Sequence, residues 1–189
     1  MTTEGAGAEL VEVVDESGAV VEVVTRAAMR ARNLRHRSTF VVVVTTAGEV
    51  VAHRRADDKD VWPGRWDLGF GGVVGVGESW WQAAVRELAE EAGVTVPEDA
   101  LVPVVEGTYT DDSVSELAKV FTAVHDGPFT CPDGEVAELA LVPWASLGTW
   151  AASRELCPDT AAMLVPALTA APGPPPGDPR VTPDGDAAL

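Results

Sequence analysis

Cysteine, histidine and positive charge are all scarce in this chain, and each shortage removes a class of function. There are two cysteines, Cys131 and Cys157. Neither belongs to a C-x-x-C pair or has histidines at zinc spacing, which excludes a structural zinc motif and a dithiol redox pair. None of the three histidines, His36, His53 and His125, stands beside a cysteine or serine in a nucleophile arrangement. Thirteen basic residues against 30 acidic ones give a net charge of −17, which argues against nucleic acid or an anionic membrane as partner. No apolar run approaches the ~18 residues of a membrane span, and MTTEGAGAEL lacks a basic region followed by an apolar one, so a cytoplasmic location is expected. The glycine run G-F-G-G-V-V-G has Val74 where a dinucleotide fingerprint needs its last glycine, and no G-K-[ST] follows any glycine loop.

What is present suits one domain with a sizeable core. The chain has 189 residues, 46% of them apolar, too few for two ordinary domains. The reading is a frayed N-terminus over 1–8, a single domain over 9–170, and a tail over 171–189. That tail holds six prolines and three glycines and buries too little to offset its ordering entropy. A homodimer is the commonest assembly for such a chain. Nine of the 13 basic residues fall between Arg26 and Arg65, opposed only by Glu49, Asp57, Asp58 and Asp60, so an acidic protein carries one locally basic segment.

Hydrophobic periodicity and turn residues order the elements. Leu10 onward predicts a hairpin around Asp15–Gly18, Ala27 to Leu34 a helix, and Thr39–Thr45 with Val50–Arg54 two strands. Asp57–Arg65 reads as a loop and Trp66–Val74 as a glycine-rich extended segment. Further strands are expected at Leu101–Tyr109, Leu117–Val124 and Glu138–Val142, then one or two helices from Trp144 to near Leu168.

Residues Gly72 to Val94, GVVGVGESWWQAAVRELAEEAGV, are the densest in meaning. Ser79 and Gln82 have capping-box spacing, and Gly93 falls where a left-handed cap ends a helix. At about 100° per residue, Trp81, Ala84, Val85, Leu88 and Ala92 share one face and Glu87, Glu90 and Glu91 the opposite one. Three like charges so close repel and call for cations. Hard carboxylate oxygens select Mg²⁺ or Mn²⁺. On E-x-x-E-E alone, a solvated acidic face is the commoner meaning.

The whole stretch reads G-x5-E-x7-R-E-U-x-E-E-x-G-U, with U a bulky aliphatic, and it resembles the Nudix hydrolase box at all nine specified positions. The resemblance implies an α/β/α sandwich with a mixed sheet, and metal-dependent cleavage of the diphosphate in a nucleoside diphosphate linked to another moiety. It implies that the Gly71 carbonyl and the carboxylates of Glu87, Glu90 and Glu91 hold the metal. It also implies that one glutamate acts as general base, with Glu87, Glu90 and Arg86 as the catalytic set. An Arg86 fork onto a neighbouring carboxylate, with Glu78, would hold the site in shape. A distal glutamate completes many Nudix sites, and Glu135 is the first candidate, Glu116 the second. For the small-molecule diphosphate itself the candidates are Arg54, Arg55, Lys59 and Arg65, with Trp66, beside Trp62, as a wall for a flat group.

Arg54 to Trp66 also resembles isopentenyl diphosphate isomerases, a branch of the same fold. In that register the isomerase's essential cysteine falls on Gly71, one metal-binding histidine on Val73 and another on Met29, so that only His36 and Glu116 match. A hydrolase of the isomerase-like branch is therefore expected. An isomerase and a non-catalytic nucleotide-binding module are the alternatives.

Overall fold

The computed structural model describes residues 7–173. The expected frayed N-terminus and proline-rich tail fall mostly outside that range. Nine strands form one mixed sheet: β1 Leu10–Val14, β2 Val20–Thr25, β3 His36–Val44, β4 Glu49–Arg55, β5 Trp66–Asp67, β6 Phe70–Val73, β7 Val102–Thr110, β8 Ser115–Val124 and β9 Val136–Pro143. The central strand is β3, whose run of five consecutive valine or phenylalanine residues is buried on both faces, as an internal strand requires. It pairs in parallel with β8 along its whole length and antiparallel with β6. A second leaf, β4 between β9 and β5, joins it through Val44 and Val50. The β1–β2 hairpin forms as expected, turning on an Asp15 side chain that accepts from Ser17 and Ala19.

The helices are α1 Arg26–Ala31, α2 Trp80–Ala92, α3 Leu147–Ala152 and α4 Val165–Ala170. Alternation along β3 sends Val41 and Val43 to one core with Ala84, Leu88 and Ala92 of α2. Phe40, Val42 and Val44 go to the other, with Leu147 of α3, Leu168 of α4 and Leu164 just before α4. This is the α/β/α sandwich with a mixed sheet. Helix α2 starts on the predicted capping box, Ser79 with Gln82, and ends at Gly93 with φ 71°.

One expectation about α2 fails. Glu87 and Glu91 do not face away from the packed stripe: they are 9% and 5% exposed and share the buried arc with Ala83, Ala84, Leu88 and Ala92, while Glu90 alone stays out. The reason lies in β6, which α2 packs against. A Cβ at Gly72 would lie 2.7 Å from Glu87 Oε1, while one at Gly71 would meet the β3 backbone at the Thr39 carbonyl oxygen. Glycine in the sheet makes room for carboxylates that periodicity alone assigns to solvent.

Candidate active site

Burying two carboxylates is costly unless they find partners. Each has one, Glu91 from β6 and Glu87 from its own helix. The Gly71 N–H donates to Glu91 Oε2 at 2.8 Å, and Arg86 Nη1 donates to Glu87 Oε1 at 2.8 Å. Arg86 also places Nε and Nη2 on the two oxygens of Glu78, both at 2.9 Å, reaches Glu90 at 3.2 Å, and donates to the Val73 carbonyl. Glu78 in turn accepts from the Gly75 N–H. One guanidinium therefore ties the loop before α2 to three carboxylates on and around the helix.

The surroundings set the proton affinities. Burial raises Glu87, with Arg86 pulling the other way. Glu91 is raised well above the usual carboxylate range, by burial first and by the Glu87 charge second, with Lys59, Gly71 and Arg55 opposing. A cation entering beside these groups would displace that proton, as metal binding generally does.

Of the two distal candidates, Glu135 is the one that lies beside a helix glutamate. Glu91, Asp133 and Glu135 place oxygens within 4.8 Å of one another. Glu116 lies elsewhere, 3% exposed and opposite His36 in the β3–β8 register, on the face whose next residues Ala118 and Val120 meet the C-terminal helices. Its Oε1 has no hydrogen-bond partner, and burial pushes its proton affinity up to about 7. Asp133 was missed in the sequence. Its signal was the P-D-G-E turn, in which Asp133 Oδ1 accepts from the Glu135 N–H at 2.9 Å and holds both acids at one tip.

The basic candidates divide. Lys59 ion-pairs with Glu135, and Arg55, on the α2 side of β4, acts electrostatically on Glu91 and Glu135 while its Nε donates to Val61 O. Arg54 points the other way, onto Asp57 at 2.7 Å and Glu138 at 3.8 Å. Arg65 donates to the Leu156 carbonyl, and Trp66 packs edge-on against Trp150 beside the C-terminal helices. The structure thus does not bring Arg54, Arg65 or Trp66 to the carboxylates, because alternation along β4 and β5 puts Arg54 and Trp66 on the opposite face. Arg26, at the start of α1, was not singled out from sequence, yet its charge acts on both Glu87 and Glu135.

A glycine-containing strand, a capped helix carrying buried glutamates, an arginine that clamps them and an acidic turn meet on one face of an α/β/α sandwich. The NUDIX domain model matches residues 34–160. The chain is 36% identical over 154 residues to the uncharacterized Nudix hydrolase PA4841 of Pseudomonas aeruginosa, covering 81% of this chain and 89% of that protein. It is 36% identical over 137 residues to the uncharacterized Nudix hydrolase YfcD of Escherichia coli, covering 71% and 73%. Among solved structures it resembles DR0079 from Deinococcus radiodurans, with TM-score 0.69, 23% identity and coverage of 84% of this chain and 99% of that one. It also resembles the NUDIX domain of Shewanella oneidensis NrtR complexed with ADP ribose, with TM-score 0.56, 18% identity and coverage of 76% and 96%. The chain belongs to the Nudix family, as an enzyme of its pyrophosphohydrolase class.

Proposed function

We propose that this protein is a Mg²⁺- or Mn²⁺-dependent hydrolase that cleaves the diphosphate of a nucleoside diphosphate linked to another moiety. The observation that carries this reading is the convergence of Glu91, Asp133 and Glu135 within 4.8 Å, beside the buried Glu87. All donors are hard oxygens, which fit Mg²⁺ or Mn²⁺ and not a thiolate-seeking metal. Glu91, Glu87 and Glu135 would hold the ion, with Asp133, exposed Glu90 and the Gly71 carbonyl at its edge. When bound, the ion supplies a polarised water and positive charge against the diphosphate. Arg86 keeps Glu87 in a fixed orientation through the fork it shares with Glu78. Arg55 and Arg26, whose fields reach the same carboxylates, are placed to meet phosphate oxygens in an otherwise acidic protein. Glu90, whose side chain is 57% exposed, has the solvent access that a base needs to take a proton from water.

Several features support a hydrolase of the isomerase-like branch over an isomerase. A Cβ at Gly71 would lie 1.9 Å from the Thr39 carbonyl oxygen, so β6 in this register has no place for a cysteine there. Cys157 is fully buried with its thiol pushed far up by burial, and Cys131 is also raised. Neither supplies a ready thiolate.

ADP-ribose heads the substrate panel, since two structural neighbours are described with it or as acting on it: the NrtR domain, and a bifunctional NMN adenylyltransferase/ADP ribose pyrophosphatase from Francisella tularensis bound to AMP and an Mn ion. Purified protein is offered ADP-ribose, sugar nucleotides and dinucleotide diphosphates with Mg²⁺ or Mn²⁺, with and without chelator. Metal-dependent release of a nucleoside monophosphate is expected from at least one. No turnover across the panel, or turnover indifferent to chelator, sinks the proposal.

A further inference from the structure

The three-carboxylate group already contains a cation, and it comes from the chain itself. Lys59 ion-pairs with Glu135, and its charge also acts on Glu91 and on Asp133, so one ammonium serves all three acids of the group. The Lys59 side chain is only 19% exposed. Its backbone is fixed to the same site: Lys59 N–H donates to Ala56 O, and Ala56 N–H donates to Glu135 O at 2.8 Å. Loop residues 56–65 are further held by Arg55 Nε on Val61 O and by the turn that Gly64 closes at φ 70°.

Resting on the hydrolase reading above, we propose that Lys59 is the stand-in cation of the Glu91–Asp133–Glu135 group, that a divalent ion enters only as this ammonium leaves, and that the displaced ammonium then contacts the substrate diphosphate.

An ammonium and a divalent ion repel strongly in a partly buried site, and both need the Glu135 carboxylate that Lys59 now occupies. With the Lys59 backbone anchored, departure is a rotation of a flexible four-carbon stem and not a loop movement. The side chain stays in the cleft with Arg55 and Arg26, whose fields reach the same acids, so a diphosphate is its natural next partner. Metal and diphosphate then bind with positive coupling, each making room or charge for the other.

The test is direct Mn²⁺ binding to the full chain by electron paramagnetic resonance, without nucleotide, for wild type, Lys59→Met and Lys59→Arg. Thermal melts in chelator confirm that all three are folded. Lys59→Met should bind Mn²⁺ about fivefold more tightly or better, while Lys59→Arg stays near wild type. With the α,β-methylene analogue of ADP present, wild-type affinity for Mn²⁺ should rise by a larger factor than that of Lys59→Met. Equal or weaker Mn²⁺ binding by Lys59→Met overturns the proposal and leaves the hydrolase reading standing. Failure of wild type and variant alike to bind Mn²⁺ overturns both.

Discussion

At the scale of single residues, the site depends on charges buried beside their compensating partners. Arg86 opposes the burial that raises Glu87, so removing it should raise Glu87 further. A group that works ionised loses activity as pH falls through its pKa, so Arg86→Gln should move the acid limb of the kcat/KM profile to higher pH. At neutral pH it should cost about 10- to 100-fold. An unchanged limb would mean that Arg86 only braces the fold. Glu116 offers a second, independent reading of burial. Its value rises from 4.5 to about 7 on folding, so the folded state takes up the proton first and stability declines as pH climbs from about 4.5 to 7. Glu116→Gln, neutral throughout, should be more stable than wild type by roughly 2–3 kcal/mol at pH 8 and little changed at pH 4.5, measured by urea denaturation at both values.

At the scale of elements, Gly72 of β6 leaves the space that Glu87 of α2 fills, and Gly71 lets β6 lie close against β3. Gly71→Cys places a Cβ against the Thr39 carbonyl. It should destabilise the protein by about 3 kcal/mol or more and gain no isomerase activity, as read by denaturant midpoints and an isopentenyl diphosphate assay. The same strand shows how far sequence reaches. Helix α2, its Ser79–Gln82 cap, its Gly93 terminus and most strands were legible, because capping and alternation are local rules. The buried placing of Glu87 and Glu91 was not, since it depends on glycines of another strand opening a slot. Glu135 was named as the first distal candidate through the family resemblance, and it lies beside Glu91. Asp133 beside it was not singled out, and although alternation separates Arg54 from Arg55, which face of β4 meets α2 depends on how the strands pair and pack.

At the scale of the whole molecule, a net charge of −17 meets a site where Glu91, Asp133 and Glu135 place oxygens within 4.8 Å of one another. Among the described residues, no helix is long and apolar enough to cross a membrane. Self-repulsion weakens such a fold, and a specific divalent ion relieves it by mass action. Mn²⁺ at about 100 times its dissociation constant should add roughly 2.7 kcal/mol, raising Tm well beyond an equal ionic strength of sodium chloride. If both salts act alike, the acids are a diffuse surface charge and not a site.

The central claim is that the carboxylates around Glu91 carry metal-dependent diphosphate hydrolysis, and Glu91→Gln tests it most directly. This substitution keeps the side chain's shape and leaves an oxygen for the Gly71 N–H while removing the charge. On the best substrate of the panel at saturating Mn²⁺, kcat should fall at least about 100-fold with the fold intact by circular dichroism. A variant within about threefold of wild type under those conditions would contradict it.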